Sequence, residues 1–198
     1  ASRLSYFLWS SLPEEQLLSL ASEQKLADPA VLRKQVERML ADPRSERFVA
    51  NFTGQWLDLR DISFTSPDAK LYPEFDELLQ NSMVKETHLF FRDMLDNDLS
   101  VMNVVDSDFT FLNARLARHY GVEGVTGQEL RKVKLPADSV RGGILTQGSV
   151  LKVTANGTNT SPVLRGAWVM ENIRAEARRP GTEHSGWGEP DIQSTKTL

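Results

Sequence analysis

The stretch from Pro73 to Asp96 is PEFDELLQNSMVKETHLFFRDMLD, and it predicts the longest helix of the chain. Apolar residues recur along it at steps of four, seven and four, and others widen the same face. The stepped positions are Leu79, Met83, Phe90 and Met94, and the flanking ones are Phe75, Leu78, Leu89, Phe91 and Leu95. An apolar arc of this width is typical of a helix covered by neighbours. We therefore expect this helix to be central to the core.

One acidic residue interrupts the apolar face of that helix. Glu86 lies three residues after Met83 and four before Phe90, so helical geometry directs its carboxylate toward the core. Buried carboxylates are tolerated when they are paired and hydrogen-bonded, which predicts an ion pair with an arginine that holds helices together. The candidate partners are Arg44, Arg47 and Arg92. The alternative is a general acid or base with a raised pKa.

Helical patterns also occupy most of the chain before residue 121. The predicted helices begin near Leu4, at about Leu12 after a Ser11–Glu14 capping box, after Asp28-Pro29, after Asp42-Pro43 and at about Phe111. The helix after Asp42-Pro43 carries an aromatic stripe. The last of these helices ends at Gly121, a residue suited to a left-handed C-terminal cap.

The pattern changes after Gly121. Alternating polar and apolar residues from Glu129 to Leu135 predict a short strand, whereas 144–153 fits a helical turn or a buried strand equally well. Ser161-Pro162 predicts the start of a final helix, and the residues beyond Arg174 predict an exposed tail.

These patterns together predict a mainly α protein with two regions. The first, residues 1–124, is a helical bundle. The second, residues 125–198, is smaller and contains a short strand or hairpin and a final helix that packs back on the bundle.

Composition excludes several classes of function. The 198 residues include 23 basic and 27 acidic side chains, and a net charge of −4 argues against a general nucleic-acid binder. The absence of cysteine excludes disulfides, thiolate zinc sites, iron–sulfur clusters and covalently attached haem within this chain. No apolar run approaches the roughly 18 residues of a membrane helix. We expect no cofactor in this chain and no membrane span.

Histidine spacing argues against a bound metal. Glu86 and His88 are two residues apart on the predicted helix, about 200° around its axis, and cannot face one ion. His119 lies in the last turn of its predicted helix, where a capping or structural role suits a histidine.

A second group of polar residues surrounds the predicted start of the final helix. Glycines, hydroxyls and arginines there could bind a small anion or a sugar acid at the helix N-terminus. The candidate ligand-binding residues are Arg141, Thr160, Ser161, Arg165 and His119. The alternative is a capped helix start followed by polar turns.

Several motifs, in order, resemble two consecutive domains of unknown function that are abundant in planctomycetes and related bacteria. The first domain is represented by Arg3–Pro13, Gln55-Trp56-Leu57, Glu86-Thr87, Phe90-Phe91, Phe111-Leu112-Asn113 and His119-Tyr120-Gly121. The second is represented by Arg141–Gln147, Thr160–Val163, Arg165-Gly166 and Trp168–Asn172. The residues after Asn172 depart from that pattern until Glu189-Pro190-Asp191.

The resemblance implies a context rather than a reaction. Such proteins are large and extracytoplasmic or periplasmic, often with a cytochrome c-like domain, so this chain would be an internal fragment whose partners are other domains of its parent. We therefore predict a non-catalytic structural or interaction module. The alternative is an enzyme or ligand-binding domain that acts on an acidic or sugar-like small molecule through Glu86 and the Thr160-Ser161 helix start.

Overall fold

The computed structural model describes residues 1–174, which form eight α-helices and one two-stranded antiparallel sheet. The mainly α prediction is confirmed. The helices are α1 (Ser2–Trp9), α2 (Glu15–Ser22), α3 (Pro29–Ala41), α4 (Glu46–Trp56), α5 (Glu77–Asp96), α6 (Ala114–Tyr120), α7 (Gly148–Val153) and α8 (Pro162–Asn172). The strands are β1 (Phe109–Leu112) and β2 (Arg131–Lys134). The predicted exposed tail lies outside the described residues.

Both Asp-Pro pairs begin helical structure, as predicted. The Asp28 carboxylate accepts a hydrogen bond from the Ala30 N–H at 2.8 Å and caps α3. The Asp42 carboxylate accepts one from the Arg44 N–H at 2.9 Å and opens a 3-10 turn that leads into α4.

The capping box predicted for α2 is wrong. The helix begins at Glu15 without a side-chain cap, and the Ser11 hydroxyl donates to the Leu12 carbonyl instead. Pro13 explains the difference, because it disfavours helical geometry at the residue before it and separates Ser11 from the first turn.

Trp9 anchors the core of the N-terminal helices. Its side chain is fully buried and packs with four apolar residues of α1 to α4. These are Leu8, Leu17, Met39 and Phe48. The indole N–H donates to the Met39 carbonyl at 2.9 Å, so the one polar atom of this ring is satisfied inside the core.

Helix α5 is central, as its apolar arc predicts. It contacts α4, α6, α7 and β1, and its N-terminus is capped by the Asp76 carboxylate, which accepts from the Leu79 N–H at 2.8 Å. Leu79 and Met83 pack against Leu112 and Leu116, so this face joins the helix to the sheet and to α6.

The small sheet joins residues that lie on either side of the predicted boundary near residue 125. Phe109 is opposite Lys134 and Leu112 is opposite Arg131. The strand predicted within 129–135 is confirmed, whereas the prediction that a helix begins at Phe111 is wrong. Phe111 belongs to β1, and Asn113 caps α6 by accepting from the Leu116 N–H at 2.9 Å.

The segment 144–153, left open between helix and strand, is helical. A 3-10 turn over Ile144–Thr146 precedes α7. Gly143 comes before that turn with φ of 70°, and a Cβ at this position would lie 2.6 Å from the Val104 carbonyl oxygen. Glycine is therefore required where this backbone passes the segment before β1.

The chain divides into two compact units, residues 1–161 and residues from 162 onward. Helix α8 is the described helix of the second unit. The boundary near residue 125, the bundle arrangement and the packing of the final helix stay predictions. No helix within residues 1–174 is long and apolar enough to cross a membrane.

Candidate functional site

Glu86 lies at the centre of a buried polar network between α5, β1, α6 and α7. Glu86 is only 1% exposed to solvent. Thr110 of β1 donates its hydroxyl to one carboxylate oxygen, and Tyr120 of α6 donates its phenol to the other, each at 2.5 Å. The N–H of Gly148, at the start of α7, donates to the Tyr120 oxygen at 2.6 Å. Both carboxylate oxygens are thus bound internally.

Burial sets the protonation of this network. Loss of water raises the pKa of Glu86 to about 7, and the two hydrogen bonds and the nearby Arg141 guanidinium offset only part of that shift. Burial and the neighbouring carboxylate also raise the pKa of Tyr120 well above its ordinary value. The phenol therefore keeps its proton and remains a donor to Glu86.

The arginine partners predicted for Glu86 bind elsewhere, so that prediction is wrong. Arg44 pairs with Asp42 at 2.8 Å, and Arg47 donates to the Trp9 carbonyl at 3.1 Å. Arg92 pairs with Asp96 at 2.8 Å. Arg92 is six residues beyond Glu86, about 240° around α5, and therefore faces a different neighbour.

A cleft of about 170 Å³ opens beside Tyr120, and Glu86 is not among the residues that line it. Its walls are mostly apolar, with Tyr72, Phe75 and Met83 among the contributing side chains. Polar groups enter at a few positions, which are Glu74, His119, Arg141, Lys152 and the loop 157–160. An apolar cavity with a few convergent polar groups is the usual form of a small-molecule site.

Some of the predicted site residues meet in this cleft and others do not. His119, Arg141 and Thr160 line it. Glu86 does not line it; its carboxylate borders a separate hollow of about 10 Å³, room for roughly one water, which Tyr120 and Arg141 also line. Catalysis by Glu86 with His119 and Arg141 would require all three in one open cleft. The described residues do not form such a cleft.

The residues predicted to bind a ligand at the helix start belong to different units. Thr160 pairs with Ala155 in an isolated bridge of the first unit, and Ser161 is the last residue of that unit. Arg165 lies on α8 in the second unit.

His119 is held beside an acidic residue. Its Nδ1 lies 3.6 Å from a Glu74 carboxylate oxygen. Burial nevertheless lowers the pKa of the imidazole, and the Glu74 charge offsets only part of that effect. The ring is thus mainly neutral near pH 7.

Metal-ligating side chains do not cluster in the part of the chain that the structure describes. No group of three or more histidines, aspartates or glutamates within residues 1–174 is arranged to hold an ion.

Sequence reasoning missed Tyr120, Thr110 and Lys152. The Lys152 ammonium donates to the carbonyls of Ile62 and Thr65, the second at 2.8 Å, and so fixes the loop before α5. Tyr120 and Thr110 lie 34 and 24 residues from Glu86, so no local pattern links them to it. The signal in the sequence is the position of Glu86 on an apolar helix face. A carboxylate buried there needs hydrogen-bond donors from other elements.

Two family models match the chain. Residues 1–122 match PSD4, a protein family of unknown function (DUF1592). The chain belongs to the PSD4 family. Residues 141–197 match a second model, PSCyt3, also of unknown function (DUF1588). These names indicate planctomycete families associated with cytochrome c, so the resemblance seen in the motifs is confirmed.

The PSD4 match covers α1 to α6, including Glu86, Thr110 and Tyr120. The PSCyt3 match begins at Arg141 and covers α7 and α8. The cleft therefore takes residues from both matched segments. The comparison found no significant match among curated proteins or among solved structures.

Proposed function

We propose that this PSD4 chain is a non-catalytic structural or interaction module of a larger extracytoplasmic, cytochrome-linked protein. The observation that carries the proposal is an aromatic face on α1 and α4, which we define by Tyr6, Phe7, Phe48, Phe52 and Trp56. The names of the two matched families support the link to cytochrome c.

The rings of the aromatic face pack against one another, but some of them remain exposed to solvent. The ring centres of Phe7 and Phe48 are 5.1 Å apart, and those of Phe52 and Trp56 are 5.6 Å apart. Phe91 of α5 stacks on Phe52 at 5.3 Å and supports the cluster from below. Phe7 is nevertheless 59% exposed. Packing thus fixes these rings while leaving a large apolar surface in water.

A surface of this kind suits a protein partner. Aromatic residues are enriched in the cores of interfaces, and the polar rim of such surfaces supplies hydrogen bonds. Asn51, Gln55 and Arg60 border the aromatic face and supply such groups. Rigid aromatic side chains lose little conformational entropy when a partner docks on them. The partner we propose is another domain of the same parent protein.

The surroundings of Glu86 support the non-catalytic part of the proposal. A general acid or base must reach its substrate within hydrogen-bond distance, directly or through one water. The Glu86 carboxylate is instead bound by Thr110 and Tyr120, and Glu86 does not line the cleft. This arrangement stabilises the junction of four elements.

Photo-crosslinking in the full-length parent protein tests the proposal. A benzoylphenylalanine replaces Phe7, and in a matched control it replaces Phe64, a phenylalanine 90% exposed and outside the aromatic face. We expect cross-links from position 7 to one peptide of another domain, and only scattered products from position 64. Equal, scattered products from both positions would contradict the interaction role.

A second candidate function, binding of a small molecule, is favoured by one specific observation. His119, Arg141 and Thr160 line a single cleft with apolar walls. An acid–base role of Glu86 has no comparable support, because Glu86 does not line this cleft.

A further inference from the structure

We propose that the cleft beside Tyr120 binds a small organic carboxylate with an aromatic or apolar body, and that Arg141 binds the carboxylate group. This inference rests on the second candidate function and is independent of the aromatic face. It is carried by the position of Arg141, the charge balance of the cleft and the nature of its walls.

Arg141 is a permanently charged group held against Tyr120 at the cleft wall. Its guanidinium carbon lies 3.7 Å from the centre of the Tyr120 ring, and one terminal nitrogen donates to the Thr146 carbonyl at 2.8 Å. These two contacts restrain the position of the guanidinium. An arginine restrained in this way loses little side-chain entropy when it binds a ligand.

The guanidinium keeps donors available for a ligand. Within residues 1–174 no carboxylate lies at ion-pair distance from Arg141, and the bond to Thr146 is the one hydrogen bond that its side chain makes there. Arg44, Arg92 and Arg115, by contrast, each pair with an aspartate. A guanidinium with free donors in a partly apolar cleft matches the paired oxygens of a carboxylate.

The charges that line the cleft favour an anion. Lys152 adds a second positive charge, although its ammonium is engaged by the carbonyls of Ile62 and Thr65. Glu74 is the acidic residue among the described lining residues, and it lies beside His119. Glu86 does not line the cleft, although it borders one small hollow together with Arg141, and its raised pKa weakens its negative charge. Two cationic side chains and one acidic side chain therefore line the cleft.

The remaining walls indicate the rest of the ligand. Tyr72 and Phe75 present aromatic surface, and Met83 supplies a flexible thioether that adapts to flat rings. Such walls bind an aromatic or aliphatic body better than a highly hydrated group such as phosphate. A cleft of about 170 Å³ admits a molecule of the size of benzoate or phenylacetate.

Calorimetric titration of the 198-residue chain with benzoate tests the proposal. We expect Arg141→Gln to weaken benzoate binding roughly tenfold or more, because a charge-assisted pair is lost. The matched control is Arg131→Gln, since the Arg131 guanidinium likewise donates to a backbone carbonyl, that of Thr126 at 2.6 Å. We expect the control to bind benzoate as the unsubstituted chain does.

The probes also separate the carboxylate from the ring. Benzamide, which keeps the ring and lacks the charge, should bind roughly tenfold more weakly than benzoate, and inorganic phosphate should bind more weakly still. Equal affinity for benzamide, tighter binding of phosphate, no binding of benzoate at millimolar concentration, or equal losses in the two arginine variants would each overturn the proposal.

A second measurement does not depend on how the variants fold. In the unsubstituted chain with methyl-labelled methionine, benzoate should shift the Met83 methyl resonance and leave that of Met39, which is buried in the N-terminal core, unchanged. A shift at neither methyl, or equal shifts at both, would overturn the location. Failure here would leave the aromatic face and its cross-linking test unaffected.

Discussion

Tyr120 joins three elements through one phenol oxygen. It accepts from the Gly148 N–H of α7 and donates to the Glu86 carboxylate of α5, while its own ring belongs to α6. The same ring carries the Arg141 guanidinium on the cleft side. A single side chain thus couples the interior network to the surface of the cleft.

We expect Tyr120→Phe to lower the free energy of unfolding by roughly 1–3 kcal/mol, because the Gly148 N–H and one Glu86 oxygen lose their partner inside the protein. Urea denaturation at pH 7 measures this effect. The matched control is Tyr72→Phe, whose hydroxyl is exposed and donates to the Thr158 carbonyl at 3.4 Å. Equal changes in both variants would show that the Tyr120 hydroxyl has no special structural role.

The sequence predicts the position of Glu86 but not its partners. Helical periodicity alone directs this carboxylate into the core, since Met83 and Phe90 lie on the same face. Its donors come from β1 and α6, and such contacts depend on how elements pack after they form. Charge considerations favoured arginine as the partner, whereas two neutral hydroxyls bind the carboxylate instead.

Among the elements, the segment before α7 has little room for a single added carbon. Gly143 has φ of 70°, and a Cβ there would meet the Val104 and Asn103 carbonyl oxygens at 2.6 and 2.8 Å. Gly124 has a similar φ of 78°, but a Cβ at this position would have no neighbouring atom within 4 Å. A comparison of alanine substitutions at these two positions therefore distinguishes the cost of a steric collision from the cost of a positive φ.

We expect Gly143→Ala to destabilise the chain by on the order of 3 kcal/mol, and Gly124→Ala by about 1 kcal/mol, because only the first adds a collision with backbone to the cost of positive φ. Thermal unfolding of the two variants at one pH measures the difference. A smaller loss for Gly143→Ala than for Gly124→Ala would contradict the close approach of the two segments.

Elements with local signals were predictable, and those that depend on distant pairing were not. Asp28 and Asp42 cap helices within their own turns, so their dipeptides suffice to place them. The sequence pattern favours a helix at Phe111, since its strand has only four residues. Its pairing with Lys132 forms only when a distant segment folds back beside it.

At the scale of the whole molecule, Glu86 makes stability depend on pH. Its pKa is raised from 4.5 to about 7 in the folded chain, so the folded state holds a proton that the unfolded state has lost between these values. The free energy of unfolding therefore falls as pH rises through this window. Burial lowers the pKa of His88 and His119, which changes stability in the opposite direction.

Comparison with Glu86→Gln isolates this effect. We expect the unfolding free energy of the unsubstituted chain, minus that of the variant, to fall by about 3 kcal/mol between pH 4.5 and pH 8. Both histidines are common to the two proteins, so their contributions cancel in the difference. Urea titrations at intervals of half a pH unit measure the curve, and a flat difference would show that Glu86 titrates normally.

The antiparallel pairing of β1 with β2 has a practical consequence for recombinant fragments. A truncation after residue 122 would remove every hydrogen-bonding neighbour of β1 in the sheet and would leave the Tyr120 phenol without Gly148. Such a piece would expose an unprotected strand edge and become prone to self-association. Expression of residues 1–161 as one polypeptide keeps that edge covered.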